Sequence, residues 1–141
     1  MVNIKISTFF TNIFNNSKLT VPYHGYADLD DTWGKRSDII NPCVRTSSAI
    51  YFVEEGEGFV EFDNKTLKLT KNNIYLFPLN IKYYYYCKSY LKKYFFHFNL
   101  KIHELFDILE VFSIKTNTIP IKSKKIFSIL KKYDYNNIFD V

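Results

Sequence analysis

From Ser48 onward, apolar and polar positions alternate in short runs. Ile50-Tyr51-Phe52-Val53 leads into Glu54-Glu55-Gly56-Glu57-Gly58, and Phe59-Val60-Glu61-Phe62 follows before Asp63-Asn64. These runs predict two strands meeting at a glycine-rich bend. Asp63-Asn64-Lys65 predicts a hairpin turn into Leu67 and Leu69, and Lys71-Asn72-Asn73 a second one into Ile74-Tyr75-Leu76-Phe77, which Pro78 ends. Beyond Leu79-Asn80-Ile81, the runs Tyr83 to Cys87 and Lys93 to Leu100 are parted by Lys88-Ser89. Strand signals recurring every eight to twelve residues or so predict a sandwich or barrel.

The two ends read differently. Residues 1–20 have no firm period and predict an arm, with Phe9, Phe10, Ile13 and Phe14 as its apolar side chains. Val21 to Tyr26 predicts a first strand, followed by the acidic Asp28-Leu29-Asp30-Asp31 and a Trp33-Gly34-Lys35-Arg36 loop. Past residue 100, Ile102, Leu105, Phe106, Leu109 and Phe112 fall at helical spacing, and so do Ile126, Ile129, Leu130 and Tyr133. Pro120 and Ser123 separate these two predicted helices, Ser123 as an N-cap. His103 and Asp107, four apart, would share a face of the first. The resulting plan is an arm over 1–20, a barrel over 21–100 and a helical segment over 101–141.

Composition supports this class. The chain has 141 residues, one ordinary domain, and its 12 Tyr and 14 Phe favour strands. No apolar run approaches the roughly 20 residues of a membrane span, and no leader is legible, so a cytoplasmic location is expected. In that compartment Cys43 and Cys87 are expected to stay reduced. The net charge of +5 is uneven: residues 71–141 hold 12 Lys and no Arg against 5 Asp+Glu. Those lysines are scattered among aromatics, which reads as a solvated face rather than a nucleic-acid surface.

The order of elements resembles the cupin family, a double-stranded β-helix marked by two glycine-centred motifs. At the steps of the second motif stand Asn72, Pro78, Asn80, Tyr83 and Cys87. Asparagine tolerates positive φ, so both glycine replacements keep the turns. At the metal-ligand positions the chain offers Cys43, Arg45, Ala49 and Tyr83, which cannot supply three donors. No metal and no other cofactor is therefore expected. Within the cupins, the chain is similar to the N-terminal domain of AraC/XylS-type transcription regulators. Ala49 to Gly58, Leu69 to Pro78, Lys92 to Phe98, and Gly25-Tyr26 with Trp33 and Arg36 carry that resemblance.

The resemblance implies a mainly β cupin-type jelly-roll barrel followed by two C-terminal α-helices. It also implies a small effector, often a sugar, bound inside the barrel. The DNA-reading helix-turn-helix domain of such regulators is absent from this chain, so contact with DNA would need that missing part. Trp33, Arg36, Arg45, Tyr51, Tyr83, Tyr85, Lys93, Phe95 and His97 are the candidate ligand-binding residues. Alternation puts Tyr83 and Tyr85 on one face and Lys93, Phe95 and His97 on another. Each set is either a pocket wall or core filling. Arg36 either reaches over the pocket or pairs with Asp38 or the Asp28 to Asp31 cluster. The apolar stripe Ile126, Ile129, Leu130 and Tyr133 is expected to form a homodimer. No membrane partner and no catalytic residue is expected, so the chain reads as a non-enzyme. The alternatives are a metal-free cupin enzyme, such as a sugar epimerase or isomerase, and a ligand-free dimerisation module.

Overall fold

The structure, a computed structural model, describes residue 8 and residues 11–13, 15–35 and 40–132. The strands are β1 (Ser17–Asp30), β2 (Cys43–Val44), β3 (Ser48–Phe62), β4 (Lys65–Thr70), β5 (Asn73–Phe77), β6 (Lys82–Tyr86), β7 (Tyr90–Ile102), β8 (Phe106–Asp107) and β9 (Asn117–Pro120). Past β7 the chain forms two short helices, α1 (Ile108–Val111) and α2 (Lys125–Leu130). All the pairings among these strands are antiparallel. The mainly β class of the cupin-type barrel is thus the one found.

The long strand β3 holds the fold together because it belongs to two sheets at once. Its first half pairs with β7 and β5, giving the order β1-β7-β3-β5-β9. Its second half pairs with β4 and β6, and β6 in turn with β2. Between the halves the register slips at Val53/Glu55, and Gly56 sits at φ +80°. Inward positions change parity across this bulge, from Ala49, Tyr51 and Val53 to Val60 and Phe62. The predicted glycine-rich bend is therefore a bulge inside one strand, not a junction of two.

Asp63 and Asn64 both take positive φ (49° and 58°), as a two-residue hairpin turn requires, and Phe62 lies opposite Lys65. Asn72 and Asn80, at φ 64° and 61°, hold the turns for which glycine would otherwise be needed. The second hairpin is not one, however. β4 and β5 both run antiparallel to β3, so Lys71-Asn72 passes the chain from one partner segment of β3 to the next.

Other departures lie near the ends. β1 starts at Ser17 and continues through the acidic stretch to Asp30, because Asp28 and Asp30 alternate with half-buried Ala27 and Leu29 opposite β7. The first predicted helix is mostly absent. Ile102 ends β7, His103 and Glu104 turn at φ 53° and 60°, and Leu105 and Phe106 are exposed. Only Ile108–Val111 is helical, capped by Asp107 Oδ1, which accepts from the amides of Leu109 (2.9 Å) and Glu110 (3.2 Å). Asp107 therefore caps a helix instead of pairing with His103. The second helix is shorter than Ser123 to Tyr133, although the Ser123 hydroxyl does accept from the Lys125 amide at 3.3 Å. Where a linker was expected, β9 adds an edge strand to β5.

The core between the sheets gathers Trp33, Ala49, Tyr51, Val53, Val60, Leu69, Tyr75, Phe77, Tyr83, Tyr85, Cys87 and Leu91. A smaller cluster, Tyr94, Phe127 and Leu130, packs α2 on the outer face of the first sheet against Phe52, Phe96, Ile121 and Ile126.

Candidate functional site

Strand β7 sets the inner wall of the site. Lys93, Phe95 and His97 share its core face, and the register places Val53, Tyr51 and Ala49 opposite them on β3. Ala27, Gly25 and Tyr23 lie opposite the same three residues on β1. Gly25 is required by this crossing, since a Cβ there would stand 2.8 Å from the tip of the Phe95 ring. Tyr23 stacks on His97 with ring centroids 4.2 Å apart.

Trp33 reaches the interior because its loop is fastened to β6. Asn41 Nδ2 donates to the carbonyls of Gly34 (3.0 Å) and Tyr85 (2.8 Å), and the Tyr85 amide donates to Asn41 Oδ1 (3.1 Å). Gly34, at φ +85°, passes so close to Tyr85 that a Cβ would meet its carbonyl oxygen at 2.1 Å. The Trp33 and Tyr85 rings then lie 4.9 Å apart.

Lys93 is 4% exposed. Its ammonium nitrogen sits 3.2 Å from the centroid of Tyr51, 4.6 Å from that of Trp33 and 5.8 Å from that of Phe95. The Arg45 guanidinium carbon lies 5.9 Å from the same Tyr51 ring and 5.4 Å from the Tyr85 ring. Two basic groups thus share one phenol ring. The ion pairs among the described residues, Lys18–Glu104, Lys68–Glu57, Lys92–Glu55 and Lys131–Glu54, lie elsewhere on the surface.

The electrostatics follow from this crowding. Burial, with the Arg45 charge behind it, pulls the Lys93 amine well below its ordinary range. Burial, then Arg45 and Lys93, lowers His97 to about 3, so its imidazole is neutral. Burial also weakens Arg45, but Tyr51, followed by Cys43 and Tyr85, more than offsets this and holds it charged. Burial and the neighbouring Cys43 push Tyr85 up to about 12, so it remains a phenol. An interior with fixed positive charge, phenol donors and aromatic walls is chemically suited to a partly apolar anion.

Of the predicted ligand-binding residues, Trp33, Arg45, Tyr51, Tyr85, Lys93, Phe95 and His97 meet around this interior. Tyr83 also faces the core, but its hydroxyl is engaged by the Pro78 carbonyl (3.3 Å) and the Thr116 hydroxyl (2.9 Å). Arg36 and Asp38 lie outside the described residues. Tyr23 and Asn41 were not singled out in the sequence. The alternation of β1 signals the first, while the second depends on a contact 44 residues away along the chain.

Both cysteines are free thiols, Cys87 buried and Cys43 half-buried. Among the described residues no three His, Cys, Asp or Glu side chains converge on one point. A surface cleft of about 500 Å³ runs between Gly56, Thr70 and Tyr90, but its charged side chains, Glu57, Lys71 and Lys88, are exposed. Exposed charges are solvated without a ligand. The buried amine of Lys93, beside the half-buried Arg45, is not, which places the candidate site there.

The dimerisation stripe is divided by the fold. Leu130 is 4% exposed and packs within the chain, whereas Ile129 is 51% exposed. Ile126, Ile129 and Leu130 edge an open apolar groove of about 380 Å³, whose other walls include Leu19, Val21, Ile50 and Phe96. Tyr133 lies outside the described residues.

No family profile matches the chain, and no curated protein matches it in sequence. Solved structures similar to it include a cupin-2 domain protein from Shewanella frigidimarina, 12% identical with a TM-score of 0.35. That likeness covers 62% of this chain and 72% of the other. Two variants of salicylate 1,2-dioxygenase from Pseudoaminobacter salicylatoxidans, one in complex with gentisate, are 16% and 15% identical with TM-scores of 0.33 and 0.35. They cover 76% and 77% of this chain, which spans only 22% and 32% of theirs. The neighbours are cupin proteins, in keeping with the fold class, and say nothing of what this chain does. One expectation is nevertheless corrected. The non-enzyme reading is withdrawn, because these neighbours include dioxygenases. No helix among the described residues is long and apolar enough to cross a membrane.

Proposed function

We propose that this chain is the effector-sensing domain of an AraC-type transcription regulator, binding a small molecule within its barrel. The observation that supports this best is the convergence of Trp33, Tyr51, Tyr85, Arg45 and Lys93, in which a half-buried guanidinium and a buried amine meet aromatic rings, with no ion pair to a carboxylate among the described residues. A protein that only filled its core would gain stability from an apolar residue at position 93. Retaining the amine makes sense where a ligand meets it. Contact with DNA belongs to a helix-turn-helix partner domain, and two copies pair through Ile129 and the apolar groove beside α2.

The test is a transcription reporter driven by the full-length gene product. Metabolite extracts should change its output in the wild type and leave an Arg45→Gln variant unresponsive. Equal response in both would sink the sensing role of the barrel. A second reading rests on Lys93 itself, since burial pulls its amine down, and an amine so shifted is a more competent base or nucleophile. Under that reading the barrel is a metal-free catalyst of the epimerase or isomerase kind. Turnover of a bound sugar, abolished by Lys93→Met, would favour it.

A further inference from the structure

Two consecutive residues of β3 hold α2 from its two ends. The pairing of β3 with β7 steps from Val53–Lys93 to Glu55–Lys92, which leaves Glu54 as the extra residue of the bulge. Its carboxylate meets the Lys131 ammonium at 3.1 Å, at the C-terminal end of α2. The Val53 carbonyl accepts from the Asn72 amide (3.0 Å), and the Asn72 carbonyl accepts from the Ile121 amide (2.8 Å) in the segment that leads into α2. Ile121 in turn packs against Phe127 and Leu130. With six residues α2 is too short to persist alone, so its seat depends on these holds.

The bulge also belongs to the inner face. Val53 is fully buried in the core cluster with Trp33 and Leu91, and it stands opposite Lys93 on β7. The next residue of β7, Tyr94, carries its ring to the outer face, 6.3 Å from Phe127 of α2. On each strand, then, one peptide step separates the inner face from the seat of α2. A bulged residue is not held by the ladder, so the two strands can shift against each other there while the pairings on either side are kept. We propose that the Val53–Glu54 bulge is a joint that couples the inner face of the barrel to the seating of α2. A change of packing around Lys93 and Trp33 moves the bulge, and the movement reaches α2 through Glu54 at one end and Asn72 at the other. Because Ile126, Ile129 and Leu130 edge the apolar groove, the joint also sets how far that groove is open. It goes beyond the sensing role proposed above and holds whatever the barrel binds.

Coupling is reciprocal, so a hold cut on the outside must be felt inside. Lys131→Met makes that cut at an exposed side chain, in the full chain and without any ligand. Hydrogen exchange at the amides of Ile126 to Leu130 reads α2. The emission of Trp33, the only tryptophan of the chain and 4.6 Å from the Lys93 amine, reads the inner face. The control is Lys18→Met, which cuts another exposed ion pair of the same 3.1 Å length, Lys18–Glu104. In Lys131→Met, exchange over α2 should rise about two- to fivefold, the range of one exposed ion pair, and Trp33 emission should shift. Lys18→Met should leave both as in the wild type. Glu54→Gln, which keeps the shape of the side chain and removes its charge, should repeat the Lys131→Met result from the bulge itself. Faster α2 exchange with Trp33 emission no different from the control would reveal a hold without coupling. Unchanged α2 exchange in Lys131→Met would reveal no hold at all. Either result overturns the joint.

Discussion

Inward, strand β7 presents Lys93, Phe95 and His97; outward, it presents Tyr94, Phe96 and Phe98. The two faces are a peptide plane apart and behave differently. On the outer face, Tyr94 and Phe96 are covered by Phe127, Leu130 and Ile126 of α2, and the Lys131 ammonium closes the contact on Glu54 at 3.1 Å. On the inner face, cations meet rings and each other. One face is arranged for cohesion, whereas the other holds groups whose burial costs stability, the usual mark of a site kept for binding.

That contrast is open to direct attack. The largest effect should come from Tyr51→Ala, which removes a 2% exposed ring backing both cations. Urea unfolding should register a loss of about 3–5 kcal/mol, in the range of other large-to-small core substitutions. A loss below about 1 kcal/mol would mean the inner face is not a packed core.

His97 supplies a pH signature. Its folded pKa, about 3, lies below the ordinary 6.5, so as pH falls between these values the unfolded chain binds a proton that the native chain refuses. Stability from this group is complete above the ordinary value and is lost as pH drops towards the folded one. Relative to His97→Gln, the wild type should lose about 2–3 kcal/mol more between neutral pH and about pH 4. Parallel curves for the two proteins would show that the imidazole is solvated.

Lys93→Met should act in the opposite direction. It keeps the length of the stem and removes a desolvated amine, so the ligand-free protein should gain about 1–3 kcal/mol. Thermal denaturation is the check, and a loss instead would mean that the amine stabilises the empty barrel.

The smallest expected change in stability is at Ile129, half-exposed beside the groove. Ile129→Asp should stay within about 0.5 kcal/mol of the wild type yet break the proposed pairing of two copies in sedimentation velocity, and a wild type that sediments as a monomer would sink that pairing. Leu130→Asp is the contrasting variant. Leu130 packs on the chain's own sheet, so its replacement should loosen α2 whether or not a second copy is present.

Much of this was legible in the residues, and the reason is local. A strand repeats every two residues, so Tyr83 with Tyr85, and Lys93 with Phe95 and His97, had to share faces wherever those strands lay. Asn72 and Asn80 signalled tight turns because few other side chains accept positive φ. The outward aromatics of β7 were equally readable as an apolar face. The helical spacing of Ile102 to Phe112 misled, because spacing alone cannot reveal that Ile102 is held in β7 by pairing with Ser17 and that the chain reverses at His103 and Glu104.

Tertiary structure decided what depends on distant partners. Nothing near Gly56 in the sequence shows that a single strand will serve two sheets, since that follows from β7 and β5 pairing with one half and β4 and β6 with the other. Sequence alone named Arg45 and Lys93 as candidates. Their meeting on one Tyr51 ring, with the surface acids drawn off to other lysines, depends on the turn after β2 being brought beside β7. Side-chain type and period are properties of neighbours in the chain. The balance of charge in a buried space is a property of neighbours in the fold, and here it is set by which side chains the two sheets bring around Tyr51.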